Sequence, residues 1–234
     1  MSARVDAPTR WGAVLFDLDG TLLDTAPDMA GALNRLRAEE GREALPFGRI
    51  RPVVSHGAVR LVALGFPEAQ GGEFERLRLR FLELYSRDLC SHTRLFPGID
   101  PLLAQFEDDA LPWGIVTNKP AWLTDPLVAT LELTGRTCCV VSGDTLAERK
   151  PHPLPLLHAA RLAGVPAERC VYVGDAERDI VAGRAAGMQT VVAGWGYFDV
   201  EDDPRAWAPT GIAQCPAELT EWLALRHDTR VAVP

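Results

Sequence analysis

Residues 14–25 read VLFDLDGTLLDT, an apolar run that ends in two aspartates one residue apart, Asp17 and Asp19. A glycine and a threonine follow at once. Short apolar runs that stop at Gly, Asp, Asn or Ser are typical of buried strands. The stretch therefore predicts a core strand that delivers two carboxylates at its carboxyl end.

Four further runs of this kind follow, and helix-like stretches separate them. The predicted strands span residues 112–118, 137–144, 169–175 and 189–196, and the predicted helices about 100–107, 121–134, 152–164, 177–186 and 216–226. Alternating strands and helices favour a parallel sheet with helices on both faces. We therefore predict an α/β, Rossmann-like fold, in which ligands bind at the carboxyl ends of the strands.

One spacing departs from this pattern and predicts an insertion. A βαβ unit takes roughly 30 residues, whereas Asp17 and Thr117 are 100 residues apart. The surplus between them carries apolar residues at helical spacing. We predict a helical cap domain at residues 24–96, inserted into a catalytic core formed by residues 1–23 and 97–234.

Charge and composition limit the expected partners. A formal net charge of −8 argues against a general nucleic-acid-binding surface. No apolar run reaches the roughly 18–20 residues that span a bilayer, and the first ten residues lack the apolar segment of a secretory signal. The five cysteines include no C-x-x-C pair, which suits reduced thiols. We expect a cytoplasmic protein, monomer or homodimer, without nucleic-acid or membrane partners.

A second acidic motif, with Asp175 and Asp179, follows another predicted strand. Converging strand ends would bring up to four carboxylates together, and their repulsion is costly at low dielectric. A divalent cation would relieve it, and an all-oxygen site favours Mg²⁺, which also binds phosphate oxygens. Lys150 offers a positive charge, and Thr117 and Asn118 offer short hydrogen-bonding side chains. This set of groups suits phosphoryl transfer.

Four motifs in this order resemble those of the haloacid dehalogenase-like superfamily: DLDGT (17–21), VTN (116–118), RKP (149–151) and VGDAERD (173–179). The resemblance runs from about Gly12 to Trp195. The position of the insertion is that of the family's small helical cap class.

The resemblance implies catalytic roles. Asp17 would be the nucleophile that forms an aspartyl-phosphate. Asp19 would protonate the leaving alkoxide and then activate the hydrolytic water. Thr117 and Lys150 would hold the phosphoryl oxygens, with Asn118 close by as a substrate-binding residue.

The resemblance also implies a Mg²⁺ site. Its ligands would be Asp17, the backbone carbonyl of Asp19, and Asp175. Asp179, one helical turn further on, is the fourth candidate. The sequence leaves open whether Asp179 binds directly, binds through water, orients the ligands or simply interacts with a helix dipole.

The function implied is a Mg²⁺-dependent phosphatase that hydrolyses a small phosphomonoester. A dehalogenase is disfavoured, because dehalogenases of the family lack the acid/base that Asp19 supplies. Two alternatives stay open: a mutase of the β-phosphoglucomutase kind, which shares these core motifs, and a non-catalytic ligand-binding pseudoenzyme. The closest resemblance is to the phosphoglycolate phosphatase-like group. VTNKP (116–120) and WGYFDVEDDPRAWAPTGI (195–212) resemble its N-acetylmuramic acid 6-phosphate phosphatase branch.

Substrate selectivity is expected to come from the cap. Its stretch FGRIRPVVSHGAVR (47–60) places cationic side chains around a Ser-His-Gly turn, where Ser55 can N-cap the following helix. A helix start beside an arginine is a ready anion site. We therefore predict a carboxylate-bearing substrate, such as N-acetylmuramic acid 6-phosphate or 2-phosphoglycolate, bound by Arg49, Arg51, His56 and Arg60.

Overall fold

The computed structural model describes residues 11–225, so the two ends of the predicted core, residues 1–10 and 226–234, lie outside the described part of the chain. Within that part, six strands form one parallel sheet in the order β5-β4-β1-β6-β7-β8. The strands are β1 (Ala13–Phe16), β4 (Trp113–Val116), β5 (Val140–Val141), β6 (Cys170–Gly174), β7 (Gln189–Ala193) and β8 (Gly211–Ala213). The predicted fold class is confirmed.

Helices cover both faces of the sheet, as alternation along β1 requires. Val14 and Phe16 belong to one apolar cluster, whereas Ala13 and Leu15 belong to another on the opposite face. The first face is covered by α5 (Ile99–Asp108), α6 (Ala121–Thr130) and α9 (Pro216–Leu225), and the second by α7 (Leu154–Leu162) and α8 (Glu177–Ala185). All four residues of β1 are buried, which is why this strand reads as an uninterrupted apolar run.

The surplus between β1 and β4 is largely helical, as predicted. It contains α1 (Ala26–Glu39), α2 (Phe47–Ile50), a 3-10 helix (Arg51–His56), α3 (Gly57–Gly65) and α4 (Gly71–Arg87). The chain leaves and re-enters the sheet region through an antiparallel ribbon of β2 (Leu23–Asp24) and β3 (Arg94–Leu95). The proposed division into a core and a cap at 23/24 and 96/97 coincides with this ribbon, and the division itself stays a prediction.

Two details of the sequence reading were wrong. Strand β8 was not predicted, and it takes the place at the sheet edge beside β7. The strand predicted at residues 189–196 is therefore not the last one, and the segment VEDDPRAW (200–207) connects β7 to β8. A strand of three residues is too short to show the alternation by which strands are recognised in a sequence.

Candidate active site

The candidate site lies at the carboxyl ends of three neighbouring strands. Asp17 follows β1 directly, Thr117 follows β4, and Asp175 follows β6. All three side chains are buried. Because β1 pairs in parallel with both neighbours, these strand ends meet at one edge of the sheet.

Three carboxylates converge at this edge. Asp17, Asp175 and Asp179 each offer an oxygen atom within 4.8 Å of the oxygens of the other two. The chain approaches this cluster closely at Gly20, which has φ of 87° and where a Cβ atom would lie 2.0 Å from Asp175 Oδ2. Only glycine accommodates both that backbone conformation and that proximity. The glycine of the DLDGT motif is therefore explained by packing against the second acidic motif.

Asp175 is incompletely paired. Its Oδ2 atom accepts hydrogen bonds from Ser55 Oγ (2.5 Å) and from the backbone N–H of Tyr197 (2.9 Å). Its Oδ1 atom is buried and has no hydrogen-bond partner among the described residues. Burial, followed by the negative charges of Asp17 and Asp179, raises the pKa of Asp175 to about 8. Such a group is stabilised as a carboxylate by a nearby cation.

Asp179 lies in the first turn of α8 and serves two contacts. Its Oδ2 atom accepts a hydrogen bond from the backbone N–H of Ala176 (3.1 Å), which caps the helix. Its Oδ1 atom lies 2.8 Å from Lys150 Nζ. No donor in the described chain has hydrogen-bond geometry to that oxygen. Asp179 Oδ1 is therefore paired with Lys150 by charge, whereas the buried Oδ1 atom of Asp175 is left for a cation. A hard, oxygen-binding ion such as Mg²⁺ fits a set of buried carboxylates.

Lys150 supplies positive charge to the cluster. Its ammonium donates hydrogen bonds to Asp17 Oδ1 (2.7 Å), to the Val116 carbonyl (2.9 Å) and to the Tyr172 hydroxyl (2.7 Å). The side chain is fully buried. Burial raises the pKa of Asp17, and the neighbouring ammonium offsets this only in part. Lys150 therefore orients one oxygen of Asp17.

Asn118 and Thr117 hold the strand end in place. The Asn118 amide donates to the Lys150 carbonyl (2.8 Å) and accepts from the Lys150 backbone N–H (3.0 Å). Both ends of this side chain are committed to Lys150, and the predicted contact of Asn118 with substrate stays a prediction. Thr117 Oγ1 accepts a hydrogen bond from the Lys119 backbone N–H (3.1 Å), which leaves its hydroxyl proton to donate.

Asp19 has partners of its own. Its Oδ1 atom accepts hydrogen bonds from the Thr25 hydroxyl (2.7 Å) and from the ammonium of Lys119 (2.8 Å). The same ammonium donates to the hydroxyl of Tyr85 in α4 (3.1 Å). Lys119 was not among the predicted site residues. A signal was present, because Lys119 and Lys150 are the sole lysines among 24 lysine and arginine residues.

The cap segment closest to the acidic cluster is the 3-10 helix. The expectation that Ser55 N-caps α3 was wrong: His56 occupies that position without a side-chain cap bond, and Ser55 binds Asp175 instead. Arg178 of α8 donates to the Ser55 carbonyl (2.6 Å). Ser55 and Asp175 are 120 residues apart in the sequence, so their hydrogen bond cannot be predicted from local sequence.

The four cationic cap residues have different neighbours. Arg51 donates to the Gly196 carbonyl (3.3 Å), and its guanidinium lies 4.7 Å from the ring centroid of Tyr197. His56 is exposed, and partial burial together with Arg178 lowers its pKa. Arg60 is exposed and interacts electrostatically with His56, whereas exposed Arg49 interacts with Arg37. The assignment of these four residues to substrate binding stays a prediction.

The fold and the arrangement of motifs define a class of hydrolase. Residues 14–193 match the haloacid dehalogenase-like hydrolase family, and the chain belongs to that family. The sequence-based identification is confirmed.

Among proteins similar to this chain is the phosphoglycolate phosphatase of Xanthomonas campestris pv. campestris (strain 8004). It is 46% identical over 209 residues, which are 89% of this chain and 95% of the relative. The N-acetylmuramic acid 6-phosphate phosphatase of Pseudomonas putida is 43% identical over 90% of this chain and 95% of the relative. Family and relatives together confirm that the chain is a phosphatase.

The solved structures agree on the fold. A crystal structure described as a predicted phosphoglycolate phosphatase from Haemophilus somnus 129pt superposes with a TM-score of 0.82. It is 24% identical and covers 92% of this chain and 99% of its own. None of the helices described between residues 11 and 225 combines the length and apolar character needed to cross a membrane.

Proposed function

We propose that this phosphatase is Mg²⁺-dependent and hydrolyses a small phosphomonoester through an aspartyl-phosphate on Asp17. The observation that carries the proposal is the pairing of each aspartate of the DLDGT motif with its own buried lysine. Asp17 is oriented by Lys150 beside two further carboxylates, and Asp19 is oriented by Lys119. Asp17 lies among carboxylates whereas Asp19 has a single ammonium partner, so the two aspartates differ in environment, as a nucleophile and an acid/base must.

In the first step, a carboxylate oxygen of Asp17 attacks phosphorus and the ester P–O bond breaks. Asp19, protonated, transfers its proton to the departing alkoxide oxygen. In the second step, Asp19, now a carboxylate, takes a proton from water as that water attacks phosphorus. The bond between the Asp17 oxygen and phosphorus breaks. Inorganic phosphate is released, and the carboxylate of Asp17 and the protonated form of Asp19 are restored.

Lys150 and Thr117 are proposed to bind the phosphoryl oxygens. Lys150 is buried and its backbone is fixed at both polar atoms by Asn118, so its ammonium is already in place before substrate binds. Preorganised charge in a site shielded from water is the most effective form of electrostatic stabilisation.

The proposed Mg²⁺ ligands are carboxylates of Asp17 and Asp175 and the backbone carbonyl of Asp19. Asp179 is proposed as a ligand or as a residue that holds the ligands. When bound, the ion would neutralise phosphoryl charge and help to align the ester. The unpaired, buried Oδ1 atom of Asp175 supports this assignment, because burial of an unpaired carboxylate oxygen is costly.

The substrate is proposed to carry a carboxylate, as N-acetylmuramic acid 6-phosphate and 2-phosphoglycolate do. The names of the similar phosphatases support this choice. The cationic residues Arg51, His56 and Arg60 also support it, since they lie on or beside the 3-10 helix whose Ser55 contacts Asp175. Arg49 is retained as a fourth candidate.

The direct test is to trap the intermediate. Purified protein is mixed with an aryl phosphate and Mg²⁺, quenched in acid and digested. We expect the peptide that contains Asp17 to gain one phosphoryl group. EDTA should abolish turnover and Mg²⁺ should restore it. Asp144→Asn changes an exposed aspartate just after β5 and serves as the matched control for Asp17→Asn. It should keep both turnover and the label on the peptide that contains Asp17. Full turnover in EDTA, or a label on another residue, would overturn the proposal.

A further inference from the structure

The chain contains only two lysines, and both lie at the candidate active site. Arginine supplies all but two of the 24 basic residues, and both exceptions, Lys119 and Lys150, are buried. Each ammonium binds one aspartate of the DLDGT motif. Lys150 belongs to the proposed phosphoryl-binding set. The sequence motifs give Lys119 no role.

The side-chain nitrogen of Lys119 is buried and in contact with polar partners. Only 5% of its side chain is exposed, and its ammonium lies 4.7 Å from the ring centroid of Tyr85. A buried ammonium is tolerated only where it is paired and hydrogen-bonded. Asp19 and the Tyr85 hydroxyl satisfy both requirements.

The contacts of Asp19 distinguish its two oxygens. Oδ1 accepts from both Lys119 Nζ and Thr25 Oγ1. Within residues 11–225, no hydrogen bond reaches Oδ2. Two donors on one oxygen fix the rotation of the carboxylate group, and they leave the other oxygen to exchange a proton with substrate.

Lys119 is also fixed at its backbone. Its N–H donates to Thr117 Oγ1, and its carbonyl accepts from the Gly143 N–H (2.8 Å) and from Thr124 Oγ1 (3.2 Å). The tip of the side chain is held from the other side by Tyr85, whose ring stacks on Phe81 in α4. The ammonium thus joins the end of β4, the acid/base and the helical insertion.

We propose that Lys119 is a positioning residue for Asp19. Its ammonium holds Oδ1 so that Oδ2 faces the oxygen of the leaving group, and Tyr85 ties this alignment to α4. The inference rests on the proposed function, because it presupposes that Asp19 is the general acid. It differs from a role in phosphate binding, which would affect every ester equally.

The test uses leaving groups of graded basicity. Single-turnover rates are measured for wild type, Lys119→Met, Asp19→Asn and the double variant, with aryl phosphates from nitrophenyl to phenyl and with one alkyl phosphate. General acid catalysis contributes roughly 10²–10⁴-fold, and we expect Lys119→Met to lose at least about 10-fold of it on the alkyl ester. With the nitrophenyl ester, whose leaving group needs little protonation, the loss should stay below about 3-fold.

The double variant separates positioning from general damage. In the Asp19→Asn background, Lys119→Met should cost less than about 3-fold on every ester, because the group that it positions has lost its proton. Tyr85→Phe keeps the ring and removes the hydroxyl, and it should show the same dependence on leaving group to a smaller extent. This second variant retains the test if Lys119→Met does not fold.

The outcomes are distinguishable. Equal losses on all esters for both Lys119→Met and Tyr85→Phe, or an undiminished loss in the double variant, would overturn the inference while leaving the proposed function intact. If Asp19→Asn itself shows no dependence on leaving group, the general-acid assignment and this inference both fail.

Discussion

The two aspartate–lysine pairs of this site have the same chemical groups but differ in the charges that surround them. Around Asp17, three carboxylates converge, and the ammonium of Lys150 contacts two of them, those of Asp17 and Asp179. The guanidinium of Arg178 also acts on Asp17. Counted as ionised groups, three carboxylates there face two cationic groups, which is a formal surplus of negative charge. Around Asp19, one carboxylate meets one ammonium, and the hydroxyls of Thr25 and Tyr85 complete the contacts.

The two sets of neighbouring charges suit the two aspartates to different chemistry. A surplus of negative charge in a buried site suits a divalent cation and, through it, phosphate. A balanced pair does not need a metal, and its fixed geometry suits a group that must present a proton in one direction. We therefore expect the spacing D-x-D to place two groups of different chemistry, Asp17 and Asp19, side by side after one strand.

The largest expected effect comes from replacing Asp17 or Asp19 by asparagine, one at a time. Asp17→Asn should reduce turnover of every ester by more than about 10⁴-fold, because it removes the nucleophile from a reaction that needs a large rate enhancement. Asp19→Asn should cost about 10²–10⁴-fold with alkyl esters and much less with nitrophenyl phosphate. Stopped-flow release of the alcohol measures both. Asp17→Asn retaining more than about a hundredth of wild-type turnover would remove Asp17 as nucleophile.

The next effect concerns the lysine of the surplus pair. Lys150→Met should slow all esters alike, by about 10²–10³-fold, because the ammonium is proposed to act on phosphoryl oxygens whatever the leaving group. Lys119→Met should instead discriminate among leaving groups. Rates across the same series of esters decide between these patterns. Identical profiles for the two variants would show that the pairs are not functionally distinct.

A smaller effect is expected from the substrate's own charge. The carboxylates around Asp17 repel a substrate carboxylate, so we expect the proposed cationic residues of the cap to bind it. The kcat/KM for N-acetylmuramic acid 6-phosphate should exceed that for N-acetylglucosamine 6-phosphate, which lacks the carboxylate. One paired carboxylate is worth roughly 2–3 kcal/mol, or about 30- to 150-fold.

Variants of the cap sharpen the substrate test. Arg51→Met should reduce the preference for the carboxylate-bearing ester, whereas Arg76→Met, which removes an exposed ion pair with Glu40, should not. A preference for neutral hexose phosphates would refute the carboxylate hypothesis. A preference for 2-phosphoglycolate would keep it and indicate a smaller pocket.

The part of the candidate site that the sequence could predict lies at the ends of the strands. Asp17, Thr117 and Asp175 each stand next to an apolar run, and a parallel sheet brings such positions together without further information. The contacts that escaped prediction join residues distant in sequence through packing. Lys119 meets Asp19 across 100 residues and Tyr85 across 34, and no periodicity marks such a pair. Similarly, the spacing of Arg49 and Arg51 could not show that they have different neighbours.

The smallest expected effect on catalysis, and a clear one on stability, concerns Asp28, a buried aspartate away from the acidic cluster that pairs with no lysine. Asp28 in α1 accepts hydrogen bonds from the backbone N–H groups of His92 and Thr93 and from the Thr93 hydroxyl. Although burial acts to raise it, these hydrogen bonds and that of the His92 ring lower the pKa of Asp28. The contact joins α1 to the segment through which the chain returns to the sheet.

Asp28→Asn should therefore leave turnover within about 2-fold and lower the free energy of unfolding at pH 7 by about 1–3 kcal/mol, since an amide cannot accept all of these bonds. The sign with pH follows from the lowered pKa. The carboxylate's stabilisation is present above the ordinary pKa of 3.8 and is lost as pH falls through the folded value. Urea unfolding from pH 7 to pH 3 should show the two proteins converging in acid. A difference in stability that stays constant over this range would mean that Asp28 acts through packing rather than through its charge. The hydrogen-bond donors around a carboxylate would then not be enough to tell a structural aspartate of this protein from the ones proposed to bind a metal or carry a proton.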